Sequence, residues 1–68
     1  MYTKFCEKAL ETLEKNPEAR IGQCFFIALY SLKPTLAYSI NGTDLDTFYT
    51  EDTKVLSTFL TWLYKELK

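Results

Sequence analysis

The residues best equipped for chemistry fall in two short stretches, Arg20-Ile21-Gly22-Gln23 and Thr43-Asp44-Leu45-Asp46. Arg20 is the only arginine, and its guanidinium offers five donors in a planar fork that matches a carboxylate or a phosphate. With Gln23 beside it, Arg20 either holds a ligand or partner, or clamps Asp44 or Asp46 within the chain, or is plainly exposed. Gly22 weakens a helix by about 1 kcal/mol relative to alanine. It marks either a close approach of another backbone or a tolerated glycine. Asp44 and Asp46 are the least that a calcium or magnesium site, or an acid/base carboxylate pair, requires. TDLDTFYTED lacks the glycine and the donor spacing of an EF-hand, whereas Asp side chains that cap turns account for both carboxylates. Neither a metal nor a cofactor is therefore expected. Without histidine there is no Ser-His-Asp or Cys-His arrangement and no histidine-based zinc site, and two glycines cannot build a phosphate-cradling loop. No nucleophile with an adjacent base can be assembled, so an enzyme is not expected.

Aromatic side chains are the other resource. There are eleven among 68 residues, more than so small a core can hide. Tyr2, Tyr30, Tyr38, Tyr49, Trp62 and Tyr64 have polar tips suited to half-buried positions and interfaces. They cap a thin core, serve self-association or form a binding face. A net charge of −1 lacks the basic footprint of a general nucleic-acid binder. Lys4, Lys8 and Lys15 run beside Glu7, Glu11 and Glu14 as a solvated mixed-charge face. No apolar run approaches the ~20 residues that cross a bilayer, and MYTKFCEKAL lacks the apolar core of a signal peptide, so the expected setting is cytoplasmic, away from membranes. Cys6 and Cys24 are then reduced thiols packed as small hydrophobes, with no C-x-x-C spacing.

These residues must be positioned by an all-α fold: a single domain over residues 1–68, a compact bundle of about four helices, one short, and oligomeric. Helix one, about 2 to 15, carries Tyr2, Cys6, Ala9, Leu10 and Leu13 on one stripe. Asn16-Pro17 is read as the start of helix two, with Glu18 at its positive end. Ile21, Cys24, Phe25, Ala28, Leu29 and Leu32, widened by Phe26, Ile27 and Tyr30, make this the central helix, packed against two neighbours or against one and a partner chain. Lys33-Pro34 ends it and opens a short helix, about 34 to 40, that offers Leu36, Ala37 and Ile40 to the core. Asn41-Gly42 closes that helix. Thr43 to Tyr49 is a loop anchored by Leu45 and Phe48. The last helix starts near Thr50 with Glu51 and Asp52 in its first turn, buries Leu56, Phe59, Leu60, Leu63 and Leu67, sets Val55, Trp62 and Tyr64 beside or outside that stripe, and ends on Lys65 and Lys68.

RIGQCFFIALYSLKPTLAYSINGTDLDTFY, residues 20 to 49, resembles small proteins of phages and bacterial mobile elements in which R-x-G-Q, an apolar helix, P-x-L-A, I-x-G-T and D-x-F-Y follow in order. The matching positions are Arg20, Gly22, Gln23, Pro34, Leu36, Ala37, Ile40, Gly42, Thr43, Asp46, Phe48 and Tyr49. Thr47 stands where that pattern more often has a proline, a departure that bears on the rigidity of the loop. The resemblance conveys no activity but implies a setting in which small proteins bind host proteins or sequester host signals. The expectation is a non-enzymatic accessory or inhibitory protein that binds a host protein, or itself, through an aromatic surface. The candidate binding residues are Arg20, Gln23, Tyr30, Asp44, Asp46, Tyr49, Trp62 and Tyr64. The alternative is an oligomeric anti-defence sponge that holds a small anionic nucleotide with Arg20, Gln23 and aromatic rings.

Overall fold

Proline and glycine punctuation divides the chain as its local chemistry dictates. The computed structural model describes residues 1–48, 50 and 52–67, and in them four helices follow one another: α1 (Tyr2–Lys15), α2 (Ile21–Leu32), α3 (Pro34–Ile40) and α4 (Thr53–Glu66). Pro34 occupies the first turn of α3, where its missing N–H costs nothing, and Gly42, at φ 79°, takes the left-handed conformation just past its end. Asp52 caps α4, its carboxylate accepting the Lys54 N–H at 2.8 Å. The last helix thus begins one residue beyond Asp52 rather than containing it. Glu51 and Lys68, assigned to the first turn and the end of that helix, lie outside the described residues, as does Tyr49.

Asn16 works in the opposite direction from the expected one. Its side-chain amide donates to the Thr12 carbonyl at 2.9 Å and its backbone N–H to the same oxygen at 3.0 Å, so it closes α1 instead of opening α2. Pro17 and Glu18 fall in a connecting turn, and α2 starts only at Ile21, with Arg20 at its cap position.

α2 packs against both α1 and α3, and Cys24, Ala28 and Leu29 are fully buried along it. Three rings join α1, α2 and α4 across the centre. Phe59 lies 6.1 Å from Phe5 and stacks on Phe25 at 6.3 Å, while Phe5 meets Phe25 edge-on at 6.0 Å. Leu63, Leu67, Ala37 and Ile40 complete this core. The radius of gyration, 10.7 Å, is that of a well-packed chain of this length, for which about 11 Å is expected.

The buried side of α1 is Phe5, Ala9 and Thr12, not the stripe through Cys6 and Leu10. Leu10 is 60% exposed and Cys6 is exposed, so only Cys24 of the two thiols packs in the core. Thr12 tolerates burial because its hydroxyl donates to the Lys8 carbonyl one turn back at 2.8 Å. Ile21, expected inside, is also exposed.

Candidate functional site

The break at Lys33-Pro34 folds α3 back beside the end of α2 and brings Tyr38 against Tyr30. Their rings meet edge-on at 5.3 Å and their hydroxyls share a 3.1 Å hydrogen bond. Tyr30 is 44% exposed and Tyr38 62%, so both residues keep much of their surface in water despite this contact. One turn before Tyr30, Phe26 meets Phe48 of the connecting loop edge-on at 5.7 Å. These four rings and Asn41 line an open cleft of about 200 Å³ with no charged residue in its wall. The hydrogen bond to Tyr38 holds the Tyr30 phenol above its ordinary pKa, helped by the neighbouring Tyr38 charge and by partial burial.

Phe48 is delivered to the cleft by a strap, residues 41–48, that hydrogen bonds hold along its length. The Asp46 carboxylate accepts the Gly42 N–H at 2.9 Å and the Phe48 N–H at 3.0 Å, and the Thr43 hydroxyl donates to the Ile40 carbonyl at 2.6 Å. Thr47 is fully buried and its hydroxyl donates to the Gly22 carbonyl at 2.8 Å. Gly22 has no room for a side chain: a Cβ there would lie 2.6 Å from the Thr50 carbonyl oxygen and would also run into that of Thr47. Gly22 is therefore the place where another backbone approaches, and Thr47, by its hydroxyl, secures the loop.

The other candidate residues do not gather at this cleft. Arg20, exposed at the start of α2, makes no ion pair among the described residues, so it does not clamp Asp44 or Asp46. By the 1.5 Å rise per helical residue it lies about 15 Å along α2 from Tyr30. Gln23 is half-buried on the same first turn. Asp46 is a turn cap, whereas Asp44 is exposed and makes no hydrogen bond or ion pair among the described residues. No three His, Cys, Asp or Glu side chains cluster as metal ligands among those residues. Trp62 is half-buried 6.0 Å from Phe59, and Tyr64 meets Tyr2 edge-on at 5.3 Å, on a different face formed by α1 and α4. The expected single aromatic surface is thus divided in two. Phe26, Tyr38, Asn41 and Phe48 are site residues that the choice of candidates missed. The signal that could have found them is a tyrosine on each side of Lys33-Pro34, four residues after Phe26 and three before Asn41.

No family model matches the chain, and neither a curated protein nor a solved structure is significantly similar to it.

Proposed function

We propose that this chain is a non-enzymatic binding protein that docks on another protein through the Tyr30–Tyr38 cleft. The observation that carries the reading is the pair of exposed tyrosines, fixed edge-on and hydrogen-bonded to one another beside Phe26 and Phe48. Tyrosine rings present large contact area at low conformational cost, and mutual packing removes most of the remaining freedom before a partner arrives. An uncharged wall with phenol and amide tips suits a protein surface of mixed polarity better than a phosphate-bearing ligand. The resemblance of residues 20–49 to phage and mobile-element proteins supports a host protein as the partner and an accessory or inhibitory role. The nucleotide-sponge reading has less support, because Arg20 lies about 15 Å along α2 from Tyr30 and no charged residue lines the cleft.

The test compares the tagged wild-type chain with a Tyr30→Ser/Tyr38→Ser variant for proteins retained from a bacterial host lysate and identified by mass spectrometry. Both positions are exposed, so the variant keeps its helical circular dichroism. Docking through the cleft predicts a stoichiometric protein that the wild type retains and the variant loses. Equal retention by both chains would remove the cleft from the mechanism.

A further inference from the structure

The four rings of the Tyr30–Tyr38 cleft form two near-right-angled corners, Tyr30 against Tyr38 at 75° and Phe26 against Phe48 at 86°. An edge-to-face contact uses one of the four ring faces in each pair, so negatively polarised faces are left for another group. The strap places further negative charge behind this wall. Asp46 accepts the N–H of Phe48, which lines the cleft, at 3.0 Å, and that of Gly42, the neighbour of the lining residue Asn41, at 2.9 Å. Those bonds leave its charge unbalanced: neither Asp46 nor the exposed Asp44 makes an ion pair among the described residues. Lys33, the cation nearest to the two tyrosines in sequence, lines a separate hollow together with Glu66.

We propose that this cleft receives an arginine side chain of the docking partner, its guanidinium against the ring faces and within the field of Asp46 and Asp44. The proposal rests on the cleft being a protein-docking site and names the group that it recognises. Charge selects a cation, because ring faces and unpaired carboxylates act together and no positive residue stands in the lining. The lining then selects which cation. An ammonium is a compact, strongly hydrated charge with three donors, and the wall offers no carboxylate to replace its water. A guanidinium is planar and weakly hydrated, and it stacks on aromatic faces. Its donors still need acceptors, which the Asn41 amide oxygen and the tyrosine hydroxyls of the lining can supply. Arginine and tyrosine are also prominent among the side chains that anchor protein interfaces, where anchors tend to pair with one another.

An amide NMR titration of the full chain with the capped tripeptide glycyl-arginyl-glycine tests this, carried to saturation or to the solubility limit. Two comparison peptides replace arginine by citrulline, which keeps the planar end but loses the charge, or by lysine. The expected result is a set of shifts centred on Asn41, Gly42 and Phe48, with the citrulline and lysine peptides binding at least about fivefold more weakly. Tyr38→Ser, which keeps the dispersed amide spectrum of the folded chain, should lose these shifts, and Asp44→Asn should weaken arginine binding about twofold. Equal binding of arginine and citrulline, equal binding of arginine and lysine, shifts that survive Tyr38→Ser, or no shift at the cleft amides each overturn the proposal. Docking itself is tested separately by the lysate comparison. A host protein that the Tyr30→Ser/Tyr38→Ser variant loses, with no response to the arginine peptide, would leave the cleft a docking site and remove arginine as its anchor.

Discussion

The Thr47 hydroxyl donates a 2.8 Å hydrogen bond to the Gly22 carbonyl, and it does so at the point where the strap's backbone comes too close to α2 for any side chain at position 22. Hydrogen bond and close approach are two parts of one contact. Gly22→Ala forces the Thr47 and Thr50 carbonyls away and should cost about 2–3 kcal/mol, as overpacking against backbone does. Thr47→Val keeps the shape but loses the donor, for about 1 kcal/mol. Urea denaturation of the two variants measures both, and a Gly22→Ala protein as stable as wild type would mean that the strap does not lie on α2.

Leu29, fully buried at the middle of the central helix, should lose about 2–5 kcal/mol on replacement by alanine, enough to unfold much of a population this small in reserve. Thermal denaturation followed by circular dichroism reads it directly.

Arg20→Lys should leave stability within about 0.5 kcal/mol of wild type, since the guanidinium is exposed and makes no ion pair among the described residues. A loss above about 1 kcal/mol would show that the planar fork has a structural partner, because an ammonium cannot reproduce two parallel hydrogen bonds.

Asp46→Asn removes one of two carboxylate oxygens that accept the Gly42 and Phe48 N–H groups. One of these amides loses its partner, at a cost of about 1 kcal/mol. Faster hydrogen exchange at Gly42 or Phe48, with the core amides of α2 unchanged, is the expected signature.

The Tyr30 phenol is held above its ordinary pKa of 10.0 chiefly by its hydrogen bond to Tyr38. A raised pKa in the folded state means that the folded chain keeps this proton where the unfolded chain releases it. The associated stability is complete below pH 10 and falls as the pH climbs through the folded value. Tyr38→Phe removes that hydrogen bond, so phenolate absorbance in a spectrophotometric titration should then rise at lower pH.

Most of the helical layout was legible because it rests on local chemistry. Pro34 and Gly42 restrict their own backbones, and the stripe Leu56-Phe59-Leu63-Leu67 leaves one way for α4 to face. The first helix was less legible. Its apolar residues cover one broad face, with Phe5 and Ala9 towards one edge and Cys6 and Leu10 towards the other, and which edge turns inward depends on where the neighbouring helices lie. Asn16 was misread because its amide caps a helix end as readily as its carbonyl caps a start, and only the position of Thr12 decides between them. The site was partly legible. Tyr30 stands out by its type, but Tyr38, Phe26 and Phe48 become neighbours only through the fold-back at Lys33-Pro34, and Arg20 stands out by being unique although it makes no ion pair among the described residues.

The contact between Thr47 and Gly22 spans 25 residues, whereas the packing of α2 on α3 joins consecutive segments of chain. Closing the longer loop costs more chain entropy, and its reward is the Thr47 hydrogen bond, a fitted backbone and the packing of Leu45 and Phe48. Assembly should therefore begin with α2 and α3 and end with the strap settling on Gly22. Substitutions at Thr47 then act mainly on the rate of unfolding, leaving the rate of folding nearly untouched. The cleft that needs Phe48 would be the last part of the molecule to form and the first to open.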